Sequence, residues 1–391
     1  MKIVLADKYS CTGCAACIDI CPKKAIIKKV ANDGHIYVTI NETLCVECRK
    51  CERLCNTIHT CYGINDKRQS IPFAAWANDM SYRKRGTSGG IFAALSSSFI
   101  QNGGVVVSSS FDGFHAKHII ISDVKDIETL QGSKYVQSDT EGIYKIIDEY
   151  LNHKKVLFFG VGCQCAAIIA YFFNHPYATN IYTVDMVCGG VPSSLLINKF
   201  RVQNPEVERI TSFRNKRKYE LRGLIGNKEV IFPSKNLPLA GFQVGLTYRY
   251  SCNNCRFAKI HRKTDLTIGD LWGCRRFSAE DYSKGISLVI SHNVRGEELM
   301  KSADIFLNPI DWNDCLPYNK RIYNGKRKYG ILREKLDLYA KKFDNEKFRK
   351  VYTFDLKPSD GFWYLYMYYW EIKNRISKII KKLINSGKDT F

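Results

Sequence analysis

The sequence contains no uninterrupted apolar run of about 18 residues, which is the length that a helix needs to cross a membrane. Its first residues, MKIVLADKYSCTGC, also lack the apolar segment of a signal peptide. The protein is therefore expected in the cytoplasm, where thiols stay reduced. Its 16 cysteines are accordingly expected to bind metal or to take part in redox chemistry rather than to form disulfides.

Acidic residues are few compared with basic ones. The 391 residues include 38 Asp and Glu but 59 Lys and Arg, which gives a net charge of +21. Such an excess suits an anionic partner, and it equally suits a solvated basic surface. No zinc-finger, RNA-recognition or helix-turn-helix signature accompanies the charge, so nucleic-acid binding is not expected. No Ser/His/Asp set or pair of carboxylates stands out, which disfavours hydrolytic chemistry.

Four blocks follow one another along the chain. Residues 1–62 are dense in cysteine, and a polar link, 64–72, follows them. Residues 72–155 and 156–310 alternate strand-like runs, such as KVLFFG and NIYTVDMV, with helix-like runs such as SGGIFAALSSSFIQN. This alternation predicts an α/β core with a mixed or mostly parallel sheet. Residues 311–391 are basic and aromatic, and we expect them to form a helical C-terminal extension.

The first block holds two runs of cysteines with the spacing C-x-x-C-x-x-C-x-x-x-C. This spacing is typical of a small α+β ferredoxin domain with two 4Fe–4S clusters, in which the fourth cysteine of each run binds the other cluster. One cluster would take Cys11, Cys14, Cys17 and Cys55, and the other would take Cys45, Cys48, Cys51 and Cys21. A pair of zinc knuckles is the alternative, but the spacing is not typical of zinc. Asn56 stands where a proline usually follows the fourth cysteine, and it is expected to loosen that turn.

An isolated pair, Cys252-x-x-Cys255, is too small to complete a metal site alone. Cys163 and Cys188 each follow a predicted strand and precede a predicted helix. Loops after parallel strands meet at one edge of a sheet, so both thiols are expected there, each with a pKa lowered by a helix N-terminus. Together the four thiolates would hold a third 4Fe–4S cluster; a structural zinc or simple packing of the thiols are the alternatives. The remaining cysteines are expected to be ordinary thiols: Cys61, Cys165, Cys274 and Cys315.

The segment RGTSGGI, residues 85–91, opens a predicted helix with small residues. Small residues let backbone N–H groups approach an anion, and a helix N-terminus favours negative charge. One interpretation is therefore a binding site for the phosphate of a nucleotide cofactor. The other is a simple N-cap, in which Thr87 or Ser88 caps the helix with nothing bound.

Several segments, in this order, resemble the beta subunits of coenzyme F420 hydrogenases and dehydrogenases. They are RGTSGGIFAAL, GSKYVQSD, VLFFGVGCQCAA, DMVCGGVPS, RYSCNNCRFAKIHRKTDLTIGDLWG and KGISLV. The resemblance covers about residues 72–310, and together with the ferredoxin block it extends to bacterial members found among exopolysaccharide genes. It implies FAD close to a 4Fe–4S cluster and an external redox partner, such as ferredoxin or a two-electron carrier.

The resemblance also implies contacts to the flavin. The phosphate candidates are Thr87, Ser88, Gly89 and Gly90, and the flavin-pocket candidates are Ser133, Lys134 and Gln137. Arg262 and Asp270 are candidates for flavin contact or for support of the cluster, with a buried ion pair as the alternative for each. Two departures stand out, because the family's GTPCQ is GVGCQ here and its CHG is Cys188-Gly189-Gly190. Because the histidine is absent here, any proton transfer that it performs in the family is in doubt for this chain. Its absence also weakens the case for the deazaflavin as substrate.

The C-terminal segment FWYLYMYYWEIKNRISKIIKKLIN has an apolar stripe at helical spacing, with Lys and Arg between. The stripe comprises Leu365, Tyr369, Ile372, Ile376, Ile379 and Leu383. Such a helix packs on its own core or on another subunit, or it lies on the inner face of the membrane with Trp363 and Trp370 at the interface.

Three functions compete at this point. The first is an iron–sulfur flavoprotein oxidoreductase acting on a small molecule that the sequence does not identify. The second is an electron-transfer subunit that feeds a partner enzyme and catalyses nothing itself. The third is a basic scaffold whose clusters are structural.

Overall fold

The computed structural model describes residues 3–59, 70–216, 218–232, 237–245, 247–325 and 359. The chain divides into two compact units, Met1–Lys335 and Leu336–Phe391. The second unit, apart from Ser359, is outside the described residues, and so are Cys61, Trp363, Trp370 and the apolar stripe from Leu365 to Leu383. The elements below all belong to the first unit.

The N-terminal cysteine block forms a small α+β domain. Its elements are helix α1 (Ala16–Asp19), strand β1 (Ile26–Val30), strand β2 (Ile36–Ile40) and helix α2 (Lys50–Leu54). The two strands are antiparallel, with Ile26 opposite Ile40. Ile3, Ile26 and Cys51 are buried together between the strands and the helices. The predicted small α+β domain is thus present.

The rest of the first unit is an α/β core. Its strands are β3 (Ile71–Ala77), β4 (Val105–Phe111), β5 (Ala116–Ile121), β6 (Ser138–Asp139), β7 (Val156–Val161), β8 (Ile181–Met186), β9 (Arg209–Asn215), β10 (Lys218–Ile225), β11 (Lys228–Phe232), β12 (Leu266–Asp270), β13 (Ser287–Ser291) and β14 (Ile305–Pro309). Its helices are α3 (Met80–Arg85), α4 (Ile91–Gln101), α5 (Ile127–Leu130), α6 (Ile143–Tyr150), α7 (Gly162–Tyr171), α8 (Leu195–Gln203), α9 (Leu237–Val244), α10 (Tyr250–Asn253), α11 (Ala279–Lys284), α12 (Val294–Ser302) and α13 (Trp312–Cys315). Short 3-10 turns lie at Val124–Asp126, Ala178–Asn180 and Lys320–Ile322.

Nine of these strands form one mixed sheet in the order β14-β3-β13-β12-β8-β7-β4-β5-β6. The central strands β12, β8, β7 and β4 are parallel to one another, and β6 is parallel to β5. Strands β13, β3 and β14 are antiparallel to their neighbours, and β5 is antiparallel to β4. The predicted mixed α/β fold is confirmed. The segments 72–155 and 156–310 both contribute strands to this sheet, so they build a single core.

Helices cover both faces of the sheet, as the sequence of β7 requires. Leu157 and Phe159 pack in one core cluster with residues of α4, α5 and α12, and Val156 and Phe158 pack in another with residues of α6 and α7. All four side chains are fully buried. A continuously apolar strand such as VLFFGV is typical of the centre of a parallel sheet that is covered on both faces.

A second sheet, β11-β10-β9, was not predicted from the sequence. Its three strands are antiparallel and carry many charged residues, and most of β11 is exposed. Apolar runs, the signal used for the other strands, are therefore weak here, although Leu221 and Phe213 are buried. Within the ranges given above, no helix combines the length and the apolar composition that a membrane crossing requires.

We predict that truncating Phe158 strongly destabilises the core. Phe158 is fully buried and its ring stacks on His118 with centroids 5.3 Å apart. Phe158→Ala should lower the free energy of unfolding by about 3–5 kcal/mol, because the cavity cannot fully collapse. Phe173→Ala is the matched control, because Phe173 is 50% exposed. This variant should lower the free energy of unfolding by less than about 1 kcal/mol. Anaerobic urea unfolding followed by circular dichroism measures both, and equal losses would contradict the packing.

Candidate functional site

The two cysteine runs of the N-terminal domain have the same backbone conformation. Gly13 and Ala15, which flank Cys14, have positive φ angles of 68° and 56°. Glu47 and Arg49, at the matching positions around Cys48, have φ angles of 50° and 58°. Positive φ is uncommon for residues other than glycine. Its repetition at matching positions shows that the same tight loop is built twice, as two equivalent cluster-binding loops require.

The thiols predicted for the first cluster lie together, and we call them the first group: Cys11, Cys14, Cys17 and Cys55. Burial, together with smaller contributions from the thiols of Cys11 and Cys55, raises the pKa of Cys14 to about 11. Burial also raises the pKa of Cys17, and the other thiols of the group add to the effect. Negative charge on the thiols of Cys14 and Cys17 is therefore unfavourable unless a cation, such as iron, is bound beside them.

The thiols predicted for the second cluster also lie together, and we call them the second group: Cys21, Cys45, Cys48 and Cys51. They line one pocket. Burial raises the pKa of Cys51, and Cys21 and Cys48 act on it electrostatically. Cys48 is exposed, so the second group reaches the protein surface.

The third group comprises Cys163, Cys188, Cys252 and Cys255. Strands β7 and β8 are parallel with Val161 opposite Met186, and each strand is followed two residues later by one of the first two cysteines. Burial raises the pKa of Cys163 well above its usual value, and the thiols of Cys255, Cys252 and Cys188 raise it further. The four side chains are thus brought together. The expected lowering of the pKa of Cys163 by the start of α7 is wrong, because burial and neighbouring thiols outweigh the helix dipole.

The turn that carries Cys252 and Cys255 is held by the backbone on both sides. The Cys252 N–H donates to the carbonyl oxygen of Arg249 at 2.9 Å, and the Cys255 N–H donates to that of Gly325 at 3.0 Å. A Cβ on Gly325 would lie 1.9 Å from the carbonyl oxygen of Cys255, so this close approach needs glycine. Sequence reasoning missed Gly325, which is remote in the chain from every cysteine motif.

The positions of the thiols also bear on zinc as an alternative. Within the part of the chain that the structure describes, no group of three or more His, Cys, Asp or Glu side chains is placed to hold a single metal ion. A zinc ion needs all its ligands about 2.0–2.3 Å from one point, whereas a 4Fe–4S cluster binds each thiolate to a different iron. Single-ion zinc sites in the three groups therefore gain no support.

The first group is adjacent to both of the others. The thiol of Cys51 acts electrostatically on Cys17, and that of Cys14 acts on Cys163. Asn56, which is buried, donates from Nδ2 to the carbonyl oxygen of Cys163 at 2.8 Å. Whether Asn56 loosens its turn stays a prediction, but its side chain has a role that the sequence did not indicate, because it joins the ferredoxin loop to the third group.

Five side chains of the α/β core hold the loop from Cys11 to Cys14, and we call this contact the junction. Each one donates a hydrogen bond to a loop carbonyl: Arg249 Nη1 to Cys11 (3.1 Å), Ser251 Oγ to Cys11 (3.0 Å), Gln137 Nε2 to Gly13 (3.0 Å), Thr140 Oγ1 to Cys14 (2.8 Å) and Tyr144 OH to Cys14 (2.6 Å). Gln137 Oε1 accepts from Arg249 Nη2 at 2.9 Å. Gln137, predicted to line a flavin pocket, thus uses both ends of its amide at the junction.

The glycine-rich segment before α4 is bound mainly to the protein itself. The Ser88 hydroxyl donates to the carbonyl oxygen of Ile286, and the Gly89 N–H donates to Ser287 Oγ, both at 2.9 Å. These two predicted phosphate donors are therefore already used. Gly90, with φ 83°, is the N-cap of α4 and has no side chain to cap the helix, so a cap by Thr87 or Ser88 is also wrong.

Two lysines flank the contact between Thr87 and Ser133, whose hydroxyl oxygens are 3.3 Å apart. Lys216 Nζ donates to the carbonyl oxygens of Gly86 and Ser88 at 2.8 and 3.4 Å. Lys134 Nζ donates to two carbonyl oxygens at 2.6 and 3.1 Å, and neither lysine has a carboxylate partner among the described residues. Burial lowers the pKa of Lys134 to about 7 and, together with the charges of nearby arginines, lowers that of Lys216 to about 8. We call Lys134 and Lys216 the lysine pair, because Lys134 follows Ser133 in the chain and Lys216 binds the residues on either side of Thr87. Their positive charges suit an anionic group such as a phosphate.

Aromatic rings and an ion pair adjoin the lysine pair. Tyr135, next in the chain after Lys134, stacks on Phe242 with centroids 3.8 Å apart. Arg214 binds both carboxylate oxygens of Asp270, at 2.7 and 2.9 Å, and its guanidinium lies 5.2 Å from the centroid of the Trp272 ring. Asp270 thus forms an ion pair with Arg214, as its alternative interpretation predicted.

Arg262 is likewise in a buried ion pair, next to the third group. Its Nη1 donates to Asp185 Oδ2 at 2.7 Å, and both side chains are almost fully buried. A Cβ on Gly162 would lie 3.2 Å from that same oxygen, so a larger residue would crowd the pair. This accounts for glycine at the position of the family's proline. Asp185 carried no signal in the sequence beyond its place near the end of a strand.

The other departure from the resembled family also has a local reason. A Cβ on Gly189, which stands in place of the histidine, would lie 2.8 Å from the ring of Phe242. On Gly190, with φ 124°, it would lie 2.4 Å from the ring of Tyr248. Aromatic rings therefore occupy the space beside Cys188 where a side chain would otherwise project.

The chain matches known families over most of the described core. Residues 153–306 match the model for the C terminus of the coenzyme F420 hydrogenase/dehydrogenase beta subunit, and residues 72–144 match the model for its N-terminal part. Residues 10–58 match the model of a 4Fe-4S dicluster domain. The fold is similar to a chain of the F420-reducing [NiFe] hydrogenase complex from Methanosarcina barkeri, with 17% identity, a TM-score of 0.48, and coverage of 73% of this chain and 94% of that chain. No curated protein matches the sequence.

We predict that Cys252→Ala removes one cluster and leaves the two of the N-terminal domain in place. The bound iron should fall by about four atoms per chain, because three thiolates hold a four-iron cluster poorly. Cys165→Ala is the matched control, since Cys165 is fully buried and only two residues from Cys163 but donates to the carbonyl oxygen of Val184. It should keep all of its iron. Assays of iron and sulfide on anaerobically purified protein measure the cluster content of both variants. A wild-type iron content in Cys252→Ala would refute the third group as a cluster site.

Proposed function

Because the chain belongs to the coenzyme F420 hydrogenase/dehydrogenase beta-subunit family and carries a 4Fe–4S domain, we propose that it is an iron–sulfur flavoprotein oxidoreductase. It would hold three 4Fe–4S clusters and one FAD. When bound, the clusters supply one-electron transfer and the flavin exchanges single electrons for electron pairs. The residues of the chain bind these groups, hold them close together and exclude water between them.

The observation that carries the proposal is the third group of thiols beside the first. Cys163 and Cys188 end neighbouring parallel strands, and Cys252 and Cys255 close the set from a remote turn. Four half-buried thiols in one place, with the Asn56 side chain reaching from the first group, suit a relay of centres better than a structural ion. A chain with clusters in its ferredoxin domain alone would have no use for this set.

The lysine pair and the rings beside it support FAD. Lys134 and Lys216 offer positive charge next to the hydroxyl groups of Thr87 and Ser133, which suits a diphosphate. Tyr135 and Phe242 give the adjoining surface an aromatic character that suits a flavin ring. Of the residues that the resemblance implied, Thr87, Ser133 and Lys134 are the ones we retain as flavin contacts, and Lys216 joins them.

The redox partner is proposed to meet the second group. Cys48 is exposed there, and Val46, next to the pocket that these cysteines line, is 56% exposed. An external carrier such as ferredoxin exchanges electrons with a cluster only where that cluster lies near the protein surface. We do not propose the deazaflavin as the substrate, because Gly189 stands where the family has a histidine. By resemblance to bacterial members, the setting proposed for the reaction is polysaccharide synthesis, and membrane contact through residues 363–383 stays a prediction.

Quantitation of iron, sulfide and flavin after anaerobic purification tests the proposal. We expect about twelve irons and one FAD per chain, the content of three four-iron clusters and one flavin. About eight irons without flavin would contradict it. Reduction of a small molecule by the purified protein alone would further exclude a subunit that only feeds a partner enzyme.

We predict that FAD binding depends on Lys134 and on pH. The lowered pKa of Lys134, about 7, means that its ammonium loses charge as the pH rises through that value. The affinity for FAD should therefore fall between pH 6 and 9, and Lys134→Met should weaken binding about tenfold at pH 6, the value of one charge-assisted hydrogen bond. In that variant the remaining pH dependence should centre near pH 8, the pKa of Lys216.

Lys125→Met is the control for this prediction, because Lys125 is an exposed lysine on the neighbouring 3-10 turn. It should bind FAD like the wild type at every pH. Flavin fluorescence titration measures the dissociation constants. An unchanged affinity in Lys134→Met would place the phosphates elsewhere.

A further inference from the structure

Arg249 is the largest of the described side chains that the folded protein buries almost completely, with 1% of its surface exposed. A guanidinium keeps its charge at every physiological pH, and burial of an uncompensated charge strongly opposes folding. Most buried arginines therefore have a carboxylate partner, as Arg214 and Arg262 have here. The surroundings of Arg249 are different.

The partners of the Arg249 guanidinium are neutral. It donates to the carbonyl oxygens of Cys11 and Ile36 and to Gln137 Oε1, and it lies 4.8 Å from the centroid of the Tyr37 ring. Among the described residues, its Nε has no hydrogen-bond partner and no carboxylate forms an ion pair with it. The contacts orient the charge but leave it without a counter-charge.

The main chain of Arg249 belongs to the third group. Its N–H donates to the carbonyl oxygen of Val191, three residues after Cys188, at 2.8 Å. Its own carbonyl oxygen accepts from the Cys252 N–H at 2.9 Å. The residue therefore spans two sites, because its backbone is part of the loops of the third group and its side chain ends on the loop of the first.

The loop of the first group is shaped to admit the guanidinium. A Cβ on Gly13 would lie 2.6 Å from Arg249 Nη2 and 2.9 Å from Cζ, so only glycine lets the charge come this close. The charge acts electrostatically on the thiols of both Cys11 and Cys252. It is therefore placed to interact with negative charge at either site.

We propose that Arg249 is the counter-cation shared by the first and third cluster sites, and that its charge raises the reduction potentials of both clusters. This rests on the proposed function, which places a cluster at each site. A cluster held by four thiolates is anionic and gains one more negative charge on reduction. A nearby buried cation stabilises the reduced form more than the oxidised form, so the potential rises. The guanidinium ends on the loop of the first group rather than on that of the second, whose cluster should be unaffected.

The test compares reduction potentials in the full chain, purified anaerobically and titrated with dithionite while electron paramagnetic resonance follows each cluster. Arg249→Met removes the charge and should lower the potentials of two clusters while leaving that of the third unchanged. Arg83→Met is the matched control, because Arg83 is also buried but donates to the carbonyl oxygens of Gly285 and Asp281, which lie outside the cluster sites. It should shift no potential.

A second variant keeps the test valid if Arg249→Met does not fold. In Gln137→Glu the new side chain has nearly the same shape as glutamine. Its carboxylate takes the place of the amide whose Oε1 accepts from Arg249 at 2.9 Å. It should cancel the charge locally and lower the same two potentials, whereas Arg249→Lys should keep them closer to the wild-type values. A purely structural role for Arg249 predicts loss of iron without a selective shift.

The outcomes separate this inference from the proposed function. A wild-type chain with about eight irons would remove the third cluster and with it the proposed function. Three clusters whose potentials stay unchanged in both Arg249→Met and Gln137→Glu would overturn the inference alone. An equal shift of all three clusters would also overturn it, because the effect would then not come from a charge at the junction.

Discussion

The carbonyl oxygens of the Cys11–Cys14 loop accept hydrogen bonds from five side chains of the α/β core, and this junction fixes where every candidate centre lies. A ferredoxin domain on a loose tether would present its clusters to many partners in turn. Here the first group faces inward, towards Cys163, and the second group faces outward, with Cys48 exposed. The ferredoxin domain is thus a fixed part of the core, which gives the centres a constant order.

The strong positive charge of the chain has an internal counterpart. Arg249 is a buried cation, and Lys134 and Lys216 are half-buried ones. Among the described residues none of the three has a carboxylate partner, and each lies beside a site proposed for an anionic group. Thiolate-bound clusters and the diphosphate of FAD are both anionic. The neutral carbonyl groups around these cations hold their positions without cancelling their charge, so the charge stays available for the bound groups. Arg214 and Arg262, in contrast, are neutralised by Asp270 and Asp185.

The sequence predicted those parts of the fold and of the site that depend on residues close together in the chain. The cysteine spacing identified the ferredoxin loops, and the continuously apolar run of β7 identified the centre of the sheet. The convergence of Cys163 and Cys188 followed from strand order, a rule about parallel sheets. What could not be predicted depends on partners remote in the chain: Asn56 meets Cys163, Gln137 meets Gly13, and Gly325 meets Cys255. Strands β9 to β11 were missed because their apolar residues are interspersed with charges.

We propose that the first cluster site lies between the second and a third one built from Cys163, Cys188, Cys252 and Cys255. Anomalous diffraction at the iron absorption edge, from anaerobically grown crystals, tests it most directly. We expect three separate iron peaks per chain, with the middle one bound by Cys11, Cys14, Cys17 and Cys55 and adjacent to Arg249. Two peaks confined to the ferredoxin domain, or a third peak away from Cys252 and Cys255, would contradict it.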